Sequence, residues 1–580
     1  MPIYDALYDY REKLQHILVR HEQGGIHAGQ GYARTSGKVG VVFATSGPGA
    51  TNLVTGLADA QIDSTPLVCI TGQVFAHLLG TDAFQETDVI NITTPVTKWN
   101  YQVTDAKEIP SVLAKAFYIA RSGRPGPVLI DITKNAQLQL IDYQGYTPCN
   151  HIRSYRPAPN IRMEYIRQAA DLINSAKKPF VLFGQGVLLG KAELEFKAFI
   201  EKAGIPAAWT IMGVGAIPTD HPLDVGMLGM HGNYGPNVQT NSCDVLIAIG
   251  MRFDDRVTGR LDKYARQAKI IHLDIDPAEI DKNVKADVPV WGDCKATLPL
   301  LTELVEERTH DEWLAEFREF DRKEHETVIQ DELNPVSGEL TMGEVINKLN
   351  ELTKGEAIIV SDVGQHQMVA CRYAKFNNTR SNVTSGGLGT MGFALPAAIG
   401  AKFGAQDRTV VAVIGDGGFQ MTLHATNDRY PNDDKVAQVL AQLWTRVGIQ
   451  TKVEAQPGNI FFARASNREY SVIMGGAAAE TGEASSVLRP LLATFNPEKG
   501  DGSGNRGRYS NPEFDRLLAE ALRTVDDRKR EALLRQATEL AIKDNGVIPI
   551  FFLANSWASR PGFNYRPRTD GWTLAINATR

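Results

Sequence analysis

Apolar and polar positions along this chain are grouped in blocks. Short runs of β-branched and small apolar residues recur in the first 150 residues: VGVVFAT (39–45), TPLVCITG (65–72) and GPVLIDI (126–132). The first runs straight into the glycine turn 46–52, which opens a helix. Continuous apolar runs this short predict strands buried on both faces, and strands alternating with helices predict a parallel sheet covered on both sides. The pattern returns in PFVLFGQGVLLG (179–190), CDVLIAIGMRFDDRVTG (243–259) and KIIHLDIDPAEI (269–280). It returns again in AIIVSDVG (357–364), SGGLGTMGF (385–393) and TVVAVIGDGGFQMT (409–422). The polar, proline-bearing stretch 151–160 reads as a linker, and the Lys/Glu-rich stretch 301–330 as one helix. The predicted fold class is α/β, multi-domain, with parallel sheets.

At Leu423 the character of the chain changes. Glycine turns at strand ends stop, and a turn, an amphipathic helix and a strand follow to about residue 459. The stretch 500–515 reads as a loop and 512–544 as a helix.

Composition narrows the function classes. A chain of 580 residues is too long for one core. A net charge of −6 gives no sign of a nucleic-acid surface. The five cysteines are scattered without a CxxC pair, which suggests reduced thiols. No apolar run is long enough to span a membrane, and the amphipathic N-terminal stretch has no signal-peptide core, so the expected location is cytoplasmic.

The candidate chemistry sits at strand ends. Asp416, in the Gly415-Asp416-Gly417-Gly418 turn, closes a buried strand where open α/β sheets hold ligands. Its glycines permit close approach to a phosphate, and the carboxylate suits a hard divalent cation. Gly184 and Gly186 fall short of the full GxGxxG dinucleotide spacing. Asp274 and Asp276 end a third strand of the middle block.

Ten motifs in order then carry a resemblance: VRHEQ (19–23), TSGPGATN (45–52), DAFQE (82–86), SGRPGP (122–127), MLGMHG (227–232), RFDDRVTG (252–259), DIDP (274–277), DVGQHQM (362–368), GGLGTMGF (386–393) and GDG (415–417). Residues 1–422 resemble the large subunit of the acetolactate (acetohydroxyacid) synthase family, thiamine diphosphate enzymes that condense 2-keto acids. The resemblance implies thiamine diphosphate, Mg²⁺ and FAD as cofactors, a homodimer or tetramer, and a regulatory small subunit. It implies that Glu22 bonds the cofactor's pyrimidine ring, that Met391 props the cofactor, and that Gln365 and His366 line the diphosphate site with Gly389, Gly415, Gly417 and Gly418. Asp416 would hold the metal. Phe84 and Gln85 would lie by the reacting carbon, with Lys134 as the family's active-site lysine. Arg252 would grip the second substrate's carboxylate, a task suited to a guanidinium. Arg124, Gly184, Gly186, the Leu228-Gly229-Met230-His231 loop, Asp274, Ile275 and Asp293 would hold the flavin. The implied division is a pyrimidine-binding domain (1–150), a central FAD-binding-like domain (160–310) and the first half of a diphosphate-binding domain (335–422).

Two departures change the expectation. The family's chain opens with a strand, a helix and a Tyr-Pro-Gly-Gly turn before the point where this sequence begins. In the family an Asn follows GDG roughly 25–30 residues on as a second metal ligand, because Mg²⁺ takes near-octahedral oxygen ligation. Here that window reads Ala441 to Arg446 and holds no asparagine. Residues 423–580 are instead similar to the C-terminal part of family 5 extracytoplasmic solute-binding proteins of peptide and nickel importers, an α+β fragment without its first lobe. The expectation is an acetolactate synthase-like chain with impaired activity. The alternatives are a solute-binding fragment and a non-functional chimeric reading frame.

Overall fold

The computed structural model describes residues 2–336, 338, 340–415, 418, 421–426, 433–446, 451–467, 469–470, 472–475, 483–544, 546–547, 564–565 and 578–579. Its contacts divide the chain into two units, Met1–Phe419 and Gln420–Arg580.

The first unit holds three parallel sheets. One contains β1 (Gly40–Ala44), β2 (Leu67–Gln73), β3 (Trp99–Val103) and β4 (Pro127–Thr133), in the order β1-β2-β4-β3. β2 and β4 are apolar and almost wholly buried, as a central strand covered on both faces must be. β3 escapes the sequence pattern: its WNYQV is mostly half-buried, because it is an edge strand. The middle sheet contains β5 (Pro179–Phe183), β6 (Ala207–Trp209), β7 (Asp224–Met227), β8 (Val245–Ile249), β9 (Lys269–Asp274) and β10 (Val288–Trp291), ordered β10-β9-β8-β5-β6-β7. The order reverses beside β5 and β8, the kind of switch point at which such sheets leave a crevice. The third sheet is β11 (Ile358–Ser361) between β12 (Asn382–Thr384) and β13 (Val410–Val413).

Helix Glu22–Ser36 crosses helix Ala394–Gly404 at backbone distance, which only glycine allows. A Cβ on Gly31 would stand 1.9 Å from the Ala397 carbonyl oxygen, and one on Gly400 1.8 Å from that of Ala28. The stretch expected as one helix over 301–330 is broken: helix Cys294–Leu304 ends, and a second begins as Asp311–Glu324 and runs on through a π-helical turn, His325–Ile329, into Gln330–Leu333. The break is anchored where Val305 is buried and the Glu306 amide bonds the Asn174 side chain at 2.9 Å.

In the second unit β14 (Met421–Thr426) lies between β15 (Thr451–Gln456) and β16 (Val472–Ile473), all parallel. The helix expected over 512–544 is also two, Pro512–Arg523 and Asp527–Lys543. Asp526 caps the second by accepting from the Lys529 amide at 2.8 Å, so the chain restarts a helix there. The two helices share a core around Phe514, Leu518 and Leu534. All five cysteines are free thiols. Among the described residues no helix is long and apolar enough to cross a membrane.

Candidate functional site

Glu22 opens helix Glu22–Ser36, where the partial positive charge of a helix N-terminus favours a carboxylate. His21 caps that helix, its Nδ1 accepting from the Gln23 amide at 3.1 Å. The glycine turn after β1 brings Asn52 to the carboxylate, and its side-chain amide donates to Glu22 Oε2 at 3.0 Å. The same turn carries Gly47, in whose Cβ position the Gln85 carbonyl oxygen would be met at 2.8 Å. Gln85 itself sits at φ +60. Glu22, the 46–52 turn and Gln85 are therefore neighbours. Phe84 stands out of that loop, 89% exposed. Glu86 holds the loop together by accepting from the Gly80, Thr81 and Ala83 amides, and these bonds, Gly80's first, lower its pKa. Lys134 starts the helix at the carboxyl end of β4, with its ammonium 5.0 Å from the Phe75 ring centre.

The loops after β11, β12 and β13 converge on one buried carboxylate. His366 Nε2 bonds Asp362 Oδ1 at 2.6 Å, the Gly415 amide donates to the same oxygen at 3.2 Å, and the Gly392 amide donates to Oδ2 at 3.2 Å. A Cβ on Gly418 would collide with Asp362 Oδ2 at 1.8 Å. Gln365 is exposed at the start of its helix, and Met391 is 64% exposed beside Gly392. Asp416 and Gly417 lie outside the described residues. Among the described residues no cluster of three or more His, Cys, Asp or Glu side chains is arranged for a metal ion.

A cavity of about 930 Å³ opens at the carboxyl ends of the middle-sheet strands. Arg124, Gly186, Leu228, Met230, His231, Arg252, Asp274, Ile275, Asp293 and Gly389 all line it. Gly184 lies behind it: a Cβ there would strike the Gly250 carbonyl oxygen at 2.6 Å, so the Gly-x-Gly turn serves close packing of two strand ends. Gly229, at φ +98, packs against the Arg256 carbonyl. Arg124 reaches from the first sheet's side to Glu279 at 2.7 Å and Asp276 at 3.1 Å, while its Nε bonds the Ser64 hydroxyl at 2.9 Å. Arg252 is paired loosely with Asp254 at 3.8 Å. Asp293 caps helix Cys294–Leu304 through the Lys295 amide at 2.9 Å. Burial raises the Asp274 carboxyl to about 7, and burial lowers the pKa of His231, with Arg256 adding to the effect.

Family comparison fits this arrangement. Residues 1–92 match the family model for the N-terminal TPP-binding domain of thiamine pyrophosphate enzymes, 166–301 the central domain, and 362–440 the C-terminal TPP-binding domain. The chain is 44% identical over 424 residues to the acetolactate synthase large subunit of Lactococcus lactis, covering 73% of this chain and 72% of that one. The chain belongs to the acetolactate synthase large-subunit family. The Corynebacterium glutamicum large subunit is 48% identical over 424 residues, 73% of this chain and 67% of that one. A probable acetolactate synthase large subunit of Methanocaldococcus jannaschii is 46% identical over 428 residues, 73% and 72%. The C-terminal match runs past Thr422 and takes in β14.

Two residues of this family member went unassigned in the sequence although their motifs were visible. Asn52 ends TSGPGATN and Asp362 opens DVGQHQM. Both act on other residues of the site, and a motif names neighbours along the chain but not across it.

Proposed function

We propose that this chain is an acetolactate synthase-like transferase that condenses pyruvate with pyruvate or 2-ketobutyrate, with activity reduced by the altered segment after Asp416. The observation that carries the reading is the Glu22–Asn52 pair on the glycine turn of a chain whose three blocks match thiamine pyrophosphate enzyme domains. Thiamine diphosphate, when bound, supplies the carbanion chemistry, and the protein's part is orientation and proton handling. A half-buried carboxylate fixed by one amide suits a pyrimidine nitrogen. Glu22 would hold that ring. Gln365, His366, Gly389, Met391, Gly415, Gly417 and Gly418 would hold the remainder, and Asp416 the Mg²⁺. Phe84, Gln85 and Lys134 would shape the space for the first 2-keto acid, and Arg252 would bind the carboxylate of the second.

The residues of the large cavity fit FAD. Its volume falls within the roughly 300–1,000 Å³ of small-molecule sites; Arg252 would offer a cation to phosphate, Asp274 and Asp293 acceptors to hydroxyls, and Arg124, held by Glu279 and Asp276, would form the wall beside them. We assign residues 1–150 to pyrimidine binding, 160–310 to the flavin and 335–422 to the diphosphate. Residues 423–580 are assigned to a solute-binding-protein fragment, supported by the contact boundary at Phe419 and by the separate sheet around β14. The C-terminal family match runs to residue 440 and so overlaps the start of that fragment. A chimeric, inactive chain is the second reading, favoured by the missing asparagine in 441–446. Homo-oligomerisation and a regulatory small subunit belong to the first reading.

The test is acetolactate formation by the purified full chain with thiamine diphosphate, Mg²⁺ and FAD, beside the Lactococcus lactis protein. A rate about tenfold or more below the relative's, dependent on both cofactor and metal, supports the first reading. Equal rates remove the impairment, and absence of thiamine diphosphate binding leaves the chimeric reading.

A further inference from the structure

The loop Thr384–Phe393 carries Gly389 and Met391, yet its shape is set by a helix from the other end of the unit. Asp59 and Asp63 stand one turn apart at the end of helix Val54–Ile62, and both are buried. Asp63 accepts the Gly386 amide on Oδ2 at 2.9 Å and the Gly387 amide on Oδ1 at 2.8 Å. Asp59 Oδ1 accepts the hydroxyls of Ser385 and Thr390, and Ser385 Oγ in turn accepts the Thr390 amide at 2.8 Å. Arg34 pairs with Asp63: its Nη2 bonds that carboxylate at 2.9 Å, its Nη1 bonds the Thr384 carbonyl at 2.5 Å, and its guanidinium lies 5.3 Å from the Phe393 ring centre. The grip accounts for Gly387, and Met212 for Gly386. A Cβ on Gly387 would stand 2.8 Å from Asp63 Oδ1 and 2.9 Å from Ile62, and one on Gly386 2.5 Å from Met212 Sδ.

We propose that Asp59 and Asp63 are positioning residues, a two-carboxylate mould that holds the 384–393 loop in the shape needed to present Gly389 to the large cavity and Met391 to thiamine diphosphate. A carboxylate is required because both Asp63 oxygens face N–H donors, and a carboxamide would turn an NH₂ group toward one of them. The ligand half of this inference rests on the cofactor reading above; the mould itself does not.

The test is amide hydrogen exchange on the ligand-free full chain, followed by titration of FAD and thiamine diphosphate by fluorescence. In Asp63→Asn the Gly386 and Gly387 amides should exchange about tenfold faster or more, the scale of one lost charge-assisted bond, with β5 and β8 unchanged. Ser385→Ala, which removes both the bond to Asp59 and the acceptor of the Thr390 amide while leaving Asp63 intact, should speed exchange of the Thr390 amide and serves if Asp63→Asn does not fold. Unchanged loop exchange in the folded variants overturns the mould. Faster exchange with wild-type affinities for both cofactors overturns the positioning role while keeping the grip. Failure of the wild-type chain to bind either cofactor overturns the cofactor reading and the positioning role, and the exchange data still judge the mould.

Discussion

Asn52 holds Glu22 by a single side-chain hydrogen bond of 3.0 Å, bridging the turn after β1 to the first residue of the neighbouring helix. One carboxylate oxygen is thus fixed. On the proposed role of Glu22, exchange of the C2 proton of bound thiamine diphosphate, read by quenched NMR, is the direct test. Glu22→Gln is expected to slow exchange about a hundredfold or more, the usual scale of a lost general acid–base. Asn52→Ala should slow it about tenfold, since one hydrogen bond to a charged group is lost. Equal slowing in the two variants would mean that Asn52 is not merely an orienting residue.

Arg124 joins the first sheet's side of the unit to Glu279 and Asp276 at the large cavity. Arg124→Ala should weaken FAD binding about tenfold, because Glu279 and Asp276 are left as unpaired carboxylates at the cavity wall. Flavin fluorescence titration measures it. Glu22→Gln, which is outside that cavity, should bind flavin as the wild type does.

Asp274 brings a pH dependence. Burial lifts its carboxyl from 3.8 to about 7, so across that window the folded chain keeps a proton that the unfolded chain has released. Stability from this group is complete below the lower value and is lost as pH rises through the upper one. Asp274→Asn should therefore gain melting temperature relative to wild type at about pH 8 and not at about pH 4. Differential scanning fluorimetry at both pH values checks it. Asp224, also raised to about 7 by burial, keeps its own slope in both proteins.

The helix crossing at Gly400 gives a stability prediction. A methyl group there would overlap the Ala28 carbonyl oxygen, and backbone cannot step aside as a side chain can. Gly400→Ala should cost about 2 kcal/mol or more. An unchanged denaturation midpoint would show that the helices separate at little cost.

The strands were legible where burial on both faces made them continuous. TPLVCITG became β2 and AIIVSDVG became β11, each within a residue or two of the apolar run. β3 and β6 were not legible: one is a half-buried edge and the other only Ala207-Ala208-Trp209. Both long helices broke at places where a distant or local side chain captured the backbone, Asn174 for one and Asp526 for the other. Of the expected flavin residues most share one cavity, because motifs at the ends of parallel strands necessarily converge. Asp362 stood in a visible motif but its hold on the Gly392 and Gly415 amides did not show, and Asp59 and Asp63 were invisible because each acts on a loop far away in the chain.

The turns after β5 and β8 occupy each other's missing side-chain space, Gly184 and Gly186 against Gly250. Neither turn has an independent future. A residue gained in one requires the other to retreat, so the pair behaves as a single heritable joint, and a graft of either strand end into another protein would carry its partner with it.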